Sequence, residues 1–331
     1  MRAMVLEAPK MPMKLMDVPI PQPEKNQVLI KVHSCGICRT DLHIIDGELP
    51  HPKLPLILGH QIVGIIEKLG EAVNNFKRGD RVGVPWLGGS CGKCEYCQKG
   101  QENLCDHAVY TGYQLNGGFA EYCVANSNFI FPIPSSYSDL EAAPLLCGGL
   151  IGYRAYRMTA KAKTIGFYGF GSSAHLLTQL AVFQGREVYA FTRPGDTKGQ
   201  EFAKSIGAVW AGNSNEEPPV QLDAAIIFAP SGELVPQALK VVCKGGVVVC
   251  AGIYMSDIPS FPYSLIYGEK ILRSVTNLTR QDGEEFLQLA TQSRIKTTVT
   301  SYELEQVNEA LEELRKGEFF GSGVIVIDEL K

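Results

Sequence analysis

The chain has 331 residues, more than twice the roughly 150 that serve as a prior for one domain, so two domains are expected. Apolar residues make up 45% and charged residues 20%, a balance that excludes disorder and coiled coil. The formal charge of -4 exerts no pull toward nucleic acid or an anionic membrane, and no apolar run approaches the roughly 18 residues of a membrane span.

The first segment, MRAMVLEAPKMPMKL, has no apolar core of the signal-peptide kind, so the cytoplasm is the expected location. Glycine and proline then punctuate the first half heavily, as in Pro19–Asn26 and Leu49–His60. The short apolar runs between these breakers predict strands over Gln27–Val32, Ile62–Leu69, Arg81–Val84 and Ala120–Val124, as in a barrel-like or irregular sheet. From about residue 150 the texture changes. A buried strand is predicted at Thr164–Tyr168, a helix at Ser172–Phe183 and a strand at Glu187–Phe191, with Ala224–Phe228 and Gly246–Ala251 continuing the series. Such alternation predicts parallel βαβ units in a doubly wound sheet. Near the end, Leu304, Val307, Leu311 and Leu314 recur at helical spacing, the pattern of a core face, and Gly317 is placed to stop that helix.

Eight of the ten cysteines lie within the first 147 residues. Cys91, Cys94 and Cys97 are spaced two residues apart, and Cys105 follows after seven more. Four thiolates complete the tetrahedral shell of zinc and leave no place for substrate, which reads as a structural site. An iron–sulfur cluster is the rival, but its fourth cysteine follows after three residues and precedes proline, whereas Asp106 follows here. Cys38, His60 and Cys147 form a second set, none of them specific alone. Together they suggest a Cys₂His zinc with a fourth position open to a substrate oxygen. Asp41 is either the carboxylate that orients His60 or simply a turn-forming acid.

Gly169, Gly171 and Ala174 spell G-x-G-x-x-A between a predicted strand and helix, the context in which this motif holds a dinucleotide pyrophosphate. A tight turn without a ligand is the plainer reading. Some 20 residues on, where an NAD site presents an acid, the strand ends in Thr192 and Arg193. A hydroxyl and a guanidinium suit a 2′-phosphate, so NADP(H) is expected over NAD(H).

These fragments resemble one family nearly end to end: the zinc-dependent alcohol dehydrogenases of the medium-chain dehydrogenase/reductase superfamily. The resemblance rests on CRTDLH (Cys38–His43), GH-x₃-G (Gly59–Gly64), the run Gly79–Cys97, GGFAEY (Gly117–Tyr122), the cysteine at 147 and the glycine fingerprint, all in matching order. It implies an α/β chain with a GroES-like β-rich catalytic domain over residues 1–148, carrying a structural-zinc lobe at about 88–108. A Rossmann doubly wound parallel-sheet domain would span 149–274, and residues 275–331 would return to complete the first domain, with the active site in the cleft between the two.

By the same resemblance, Cys38, His60 and Cys147 hold the catalytic zinc, and Cys91, Cys94, Cys97 and Cys105 hold the structural one, two per chain. Thr40 takes the substrate proton, and His43 passes it to solvent through the cofactor ribose. Arg39 and Arg280 meet the pyrophosphate, and Trp86 lines the substrate pocket. Two departures stand out. Gln61 replaces the family's glutamate beside the histidine ligand, which is expected to favour bound alkoxide and slow ligand exchange. Ile151 replaces a threonine near the nicotinamide. The family likeness implies a homo-oligomer, dimer or tetramer, with a small alcohol or aldehyde as partner. A quinone or enone reductase and a zinc- and NADP(H)-binding sensor without turnover are the competing readings. The zinc ligands argue against the first, and Thr40 with His43 argues against the second.

Overall fold

The structure is a computed structural model that describes residues 1–328, so the last three residues of the expected return segment lie outside the described residues. The chain divides into two compact units. The first comprises Met1–Leu150, Asn277–Thr291 and the chain from Thr297 onward, and the second comprises Ile151–Thr276 with Gln292–Lys296.

The first unit is built on a seven-stranded sheet around Gln27–Gly36. This strand pairs antiparallel with Ile62–Leu69, Tyr122–Asn126 and Ser322–Val326, which is why nearly all of its residues are buried. It runs four residues past the predicted Val32, because the polar His33 and Ser34 are satisfied inside the fold. His33 Nδ1 lies 2.8 Å from Asp139 Oδ2, and Ser34 Oγ donates to the Asp139 carbonyl. The neighbouring strand starts at Tyr122 instead of Ala120, which makes only an isolated bridge to Ala3.

The late segment returns to this sheet. Val299–Glu303 lies parallel to Ser322–Val326, and the helix Val307–Lys316 between them buries Val307, Ala310 and Leu311 and ends at Gly317. Val28, Ile30, Ile62, Phe119, Val307 and Leu311 belong to one core. Register then positions the chemistry. Cys35 pairs with Ile62, so the segment leading to Cys38 lies beside the one carrying His60.

The second unit is a six-stranded parallel sheet in the order Trp210–Asn213, Glu187–Thr192, Thr164–Tyr168, Leu222–Ile227, Val242–Cys250, Ile271–Ser274. In sequence order that is 3-2-1-4-5-6, the Rossmann arrangement. Its core contains Tyr168 stacked on Phe191 at 4.1 Å, with Leu222, Ile227 and Val248. Among the described residues no helix is long and apolar enough to cross a membrane.

Candidate active site

Three segments of the first unit bring together three side chains able to hold a metal ion. Cys38 caps the helix Arg39–Ile45, His60 precedes the strand Ile62–Leu69, and Cys147 follows the short 3₁₀ turn Ala143–Leu146. Their donor atoms all lie within 4.8 Å of one another, and the two sulfurs are 3.7 Å apart. Tetrahedral zinc with Zn–S bonds of about 2.3 Å separates two sulfurs by ~3.8 Å, so the spacing fits. His60 is fully buried, yet neither ring nitrogen completes a well-formed hydrogen bond. An orphaned buried imidazole of this kind is what a metal donor looks like before its metal is added.

Asp41 organises the set. Its carboxylate is buried, accepts the Cys38 N–H at 2.8 Å and the Gly59 N–H at 3.3 Å, and lies 3.3 Å from His60 Nδ1. One side chain thus fixes the backbone at Cys38 and immediately before His60, and faces Nδ1 with its carboxylate. The proton balance follows from these contacts. A hydrogen bond from Cys147 draws the Cys38 thiol well below its ordinary value and pushes Cys147 well above it. Burial opposes charge on His60, but Asp41 and Cys38 prevail and raise it to about 10. A divalent cation bound here would take the place of protons that this pocket otherwise retains.

The second cluster sits on a loop with little core of its own; Tyr96 and Leu104 are exposed there. Cys91, Cys94 and Cys97 are half-exposed and Cys105 is buried. Cys91 Sγ lies 3.9 Å from Cys97 Sγ, which lies 3.5 Å from Cys94 Sγ, again bracketing the tetrahedral spacing. The Lys93 and Cys94 N–H groups hold Cys91 down to about 6. Despite the Cys97 N–H, Cys94 is pushed up to about 11 by desolvation and the neighbouring sulfurs.

In the second unit, Gly169 follows the first strand with φ +88°, and a Cβ there would lie 2.9 Å from the Ala229 nitrogen, so only glycine makes this turn. Gly171 differs: a Cβ would meet nothing within 4 Å. Its smallness serves no contact within the chain and leaves an open cradle at the start of the helix Ser172–Phe183, where a phosphate fits. Ala174 is fully buried. Arg193 is exposed at the end of the second strand, but Thr192 is not. The Thr192 hydroxyl accepts from Gln200 Nε2 at 3.1 Å and lies 3.4 Å from the Gly212 carbonyl, so it faces inward.

Residues 24–135 match the model of the alcohol dehydrogenase GroES-like domain. The probable alcohol dehydrogenase AdhA of Mycobacterium tuberculosis is 42% identical over 324 residues, covering 96% of this chain and 93% of that protein. The chain belongs to the zinc-dependent alcohol dehydrogenase family. Among solved structures, a cinnamyl alcohol dehydrogenase of Sorghum bicolor superposes with a TM-score of 0.90 at 26% identity, covering 98% of this chain and 97% of that one. The cobalt- and zinc-bound thermostable alcohol dehydrogenase of Pyrobaculum aerophilum gives 0.89 at 28% identity, with 98% and 99% covered. The enzyme is therefore an oxidoreductase acting on alcohols.

The remaining expected residues fall as follows. Thr40 and His43 lie three apart on the helix Arg39–Ile45, both buried, and Arg39 opens that helix. Trp86 packs edge-on to His60 at 4.8 Å and against Tyr110 and Tyr113, two rings that no motif announced. Arg280 donates from Nε and its backbone N–H to the buried Glu102 carboxylate and lies over Phe129. Gln61 donates its amide to the Ile37 carbonyl at 3.0 Å. Glu102 escaped notice because its partner is 178 residues away.

Proposed function

We propose that the enzyme interconverts alcohols with aldehydes or ketones and prefers NADP(H) over NAD(H). One zinc would be held by Cys38, His60 and Cys147 and a second by Cys91, Cys94, Cys97 and Cys105. The Cys₂His set around the buried His60, with its 3.7 Å sulfur spacing, carries this reading. The Pyrobaculum relative, solved with cobalt and zinc bound, supports it. Zinc held there would supply Lewis acidity to a substrate oxygen, and the nicotinamide would carry the hydride.

The chain's own residues do the rest. Asp41 holds the ligands in place. Thr40 takes the proton from the substrate hydroxyl, and His43 hands it to solvent. The Trp86, Tyr110 and Tyr113 rings form an apolar wall that excludes water beside His60. Gly169, Gly171 and Ala174 admit the pyrophosphate at a helix N-terminus. The 2′-phosphate preference rests on Arg193, since the Thr192 hydroxyl is committed inward. None of the ten cysteines is paired in a disulfide, as suits the cytoplasm. A dimer or tetramer follows the family likeness, and light scattering checks it.

The deciding experiment follows NADPH and NADH at 340 nm against aliphatic and aromatic aldehydes, with zinc measured in the same sample. Turnover favouring NADPH with about two zincs per chain is expected. Equal or better turnover with NADH would overturn the cofactor preference. Two zincs and tight NADPH binding without turnover on any carbonyl would overturn the catalytic reading.

A further inference from the structure

We infer that Glu48 is the positioning residue of the proton route, acting through His43. The inference rests on the route proposed above and adds a member that no motif supplies. His43 Nδ1 lies 2.5 Å from Glu48 Oε2, with the His43 side chain 11% exposed and that of Glu48 36% exposed.

The contact is built into the backbone. The helix Arg39–Ile45 ends at Asp46, and Gly47 follows with φ +74°. The Gly47 N–H bonds the Ile44 carbonyl at 3.1 Å, and the Glu48 N–H bonds the His43 carbonyl at 2.9 Å. This is the double bond of a Schellman turn, which folds the second residue past the cap back onto the residue three before it. That pair is usually apolar. Here it is a carboxylate and an imidazole, so the turn that closes the helix also aims Glu48 at Nδ1.

A second carboxylate at the same helix end makes the assignment selective. Asp46 accepts both outer nitrogens of Arg315, at 2.6 and 2.9 Å, and that bond holds its carboxyl below the usual range. Asp46 is thus spoken for, and Glu48 is the carboxylate bonded to the ring. By accepting Nδ1–H, Glu48 makes Nε2 the lone-pair nitrogen of His43, the one able to take up a proton. The bond exchange is simple: an O–H bond breaks upstream, an N–H bond forms at Nε2, and that N–H bond breaks again as the proton passes to solvent.

The test compares Glu48→Gln, Glu48→Asp, Asp46→Asn and His43→Gln in the zinc-loaded enzyme, oxidising a primary alcohol. Glu48→Gln can donate to Nδ1 as well as accept from it, so the tautomer is no longer set. It is expected to lower kcat about ten-fold and to enlarge the solvent deuterium isotope effect. KM and NADP⁺ affinity stay near the parent values, Glu48→Asp recovers most of the loss, and Asp46→Asn leaves kcat unchanged. If Glu48→Gln matches the parent while His43→Gln is slow, the role of Glu48 is wrong and the His43 route stands. If His43→Gln itself matches the parent in kcat and isotope effect, the route fails and this inference fails with it. A Glu48→Gln loss with an unchanged isotope effect and no recovery in Glu48→Asp would mark a merely structural contact, also overturning it.

Discussion

The two cysteine clusters of the first unit are held by opposite means. At Cys38, His60 and Cys147 the protein comes first. Paired strands, a helix N-terminus and the buried Asp41 place the donors, and His60 is wholly enclosed. At Cys91, Cys94 and Cys97 there is little protein to do the placing: the donors sit on a loop whose apolar side chains Tyr96 and Leu104 face solvent. Three donors on a rigid frame leave a ligand position vacant for chemistry, whereas four donors on a weak loop consume every position for cohesion. Removing a ligand from the first cluster should therefore abolish activity and spare the fold. At the second it should spare the chemistry and cost the fold.

The largest effect tests the first half of that contrast. Cys38→Ser is expected to lower kcat at least about 10³-fold, the scale of losing a Lewis acid worth several kcal/mol. Zinc should fall by one per chain while the far-ultraviolet circular dichroism stays that of the parent. A variant that loses its secondary structure would show that the buried frame also depends on its metal.

Cys94→Ser tests the other half. Zinc should again fall by one per chain, and the melting temperature should drop by about 5 °C, corresponding to the loss of a few kcal/mol. Activity per folded molecule at 20 °C should stay within a small factor of the parent. A thousand-fold loss with an unchanged melting temperature would reverse the two roles.

Much of this contrast was legible in the sequence, because thiol and imidazole donors are few and their spacing is unforgiving. The strands at Ile62–Leu69, Arg81–Val84 and Thr164–Tyr168 and the helix Ser172–Phe183 were read to their observed ends, since breakers flank each of them. The edge strand Ile271–Ser274 went unread because most of its residues are exposed and carry no buried pattern. The inward turn of Thr192 was hidden as well. It depends on Gln200 and Gly212, which no local rule connects to a strand end. Glu48 was invisible for a related reason: its meeting with His43 is made by the left-handed Gly47, not by a pattern of residue types.

A smaller effect asks how much of the loop is held without metal. Glu102 is 3% exposed and joins the segment before Cys105 to Arg280 through two hydrogen bonds. Glu102→Gln should lower stability by about 1–2 kcal/mol, a value discounted because the guanidinium is half-exposed. Burial opposes the Glu102 charge, but Arg280 prevails and holds the carboxyl below its ordinary 4.5. A depressed carboxyl contributes fully above its unfolded value and loses that contribution as pH falls through the folded one. The gap between parent and variant should accordingly be constant from pH 7 to about 5 and shrink below about 4.5. A gap independent of pH down to 3 would mean the charge of Glu102 does not matter.

The subtlest test returns to the buried frame. Gln61 is 3% exposed, and its amide donates to the carbonyl of Ile37, the residue before Cys38. An ionised glutamate cannot make that bond; its oxygen would face the carbonyl oxygen in a site closed to water. Gln61→Glu must either keep its proton, which lets it donate, or ionise and leave the carbonyl unpaired. The first option means a carboxyl raised above its unfolded value, whose stabilisation is complete below that value and lost as pH rises. The variant should thus lie close to the parent at pH 4 and fall behind by about 1–2 kcal/mol at pH 8, read from urea midpoints. The family's usual glutamate would then be compatible with this fold only where another donor serves the Ile37 carbonyl. Equal stability at both pH values would show that the amide does not hold the Cys38 segment, leaving Asp41 to fix that ligand.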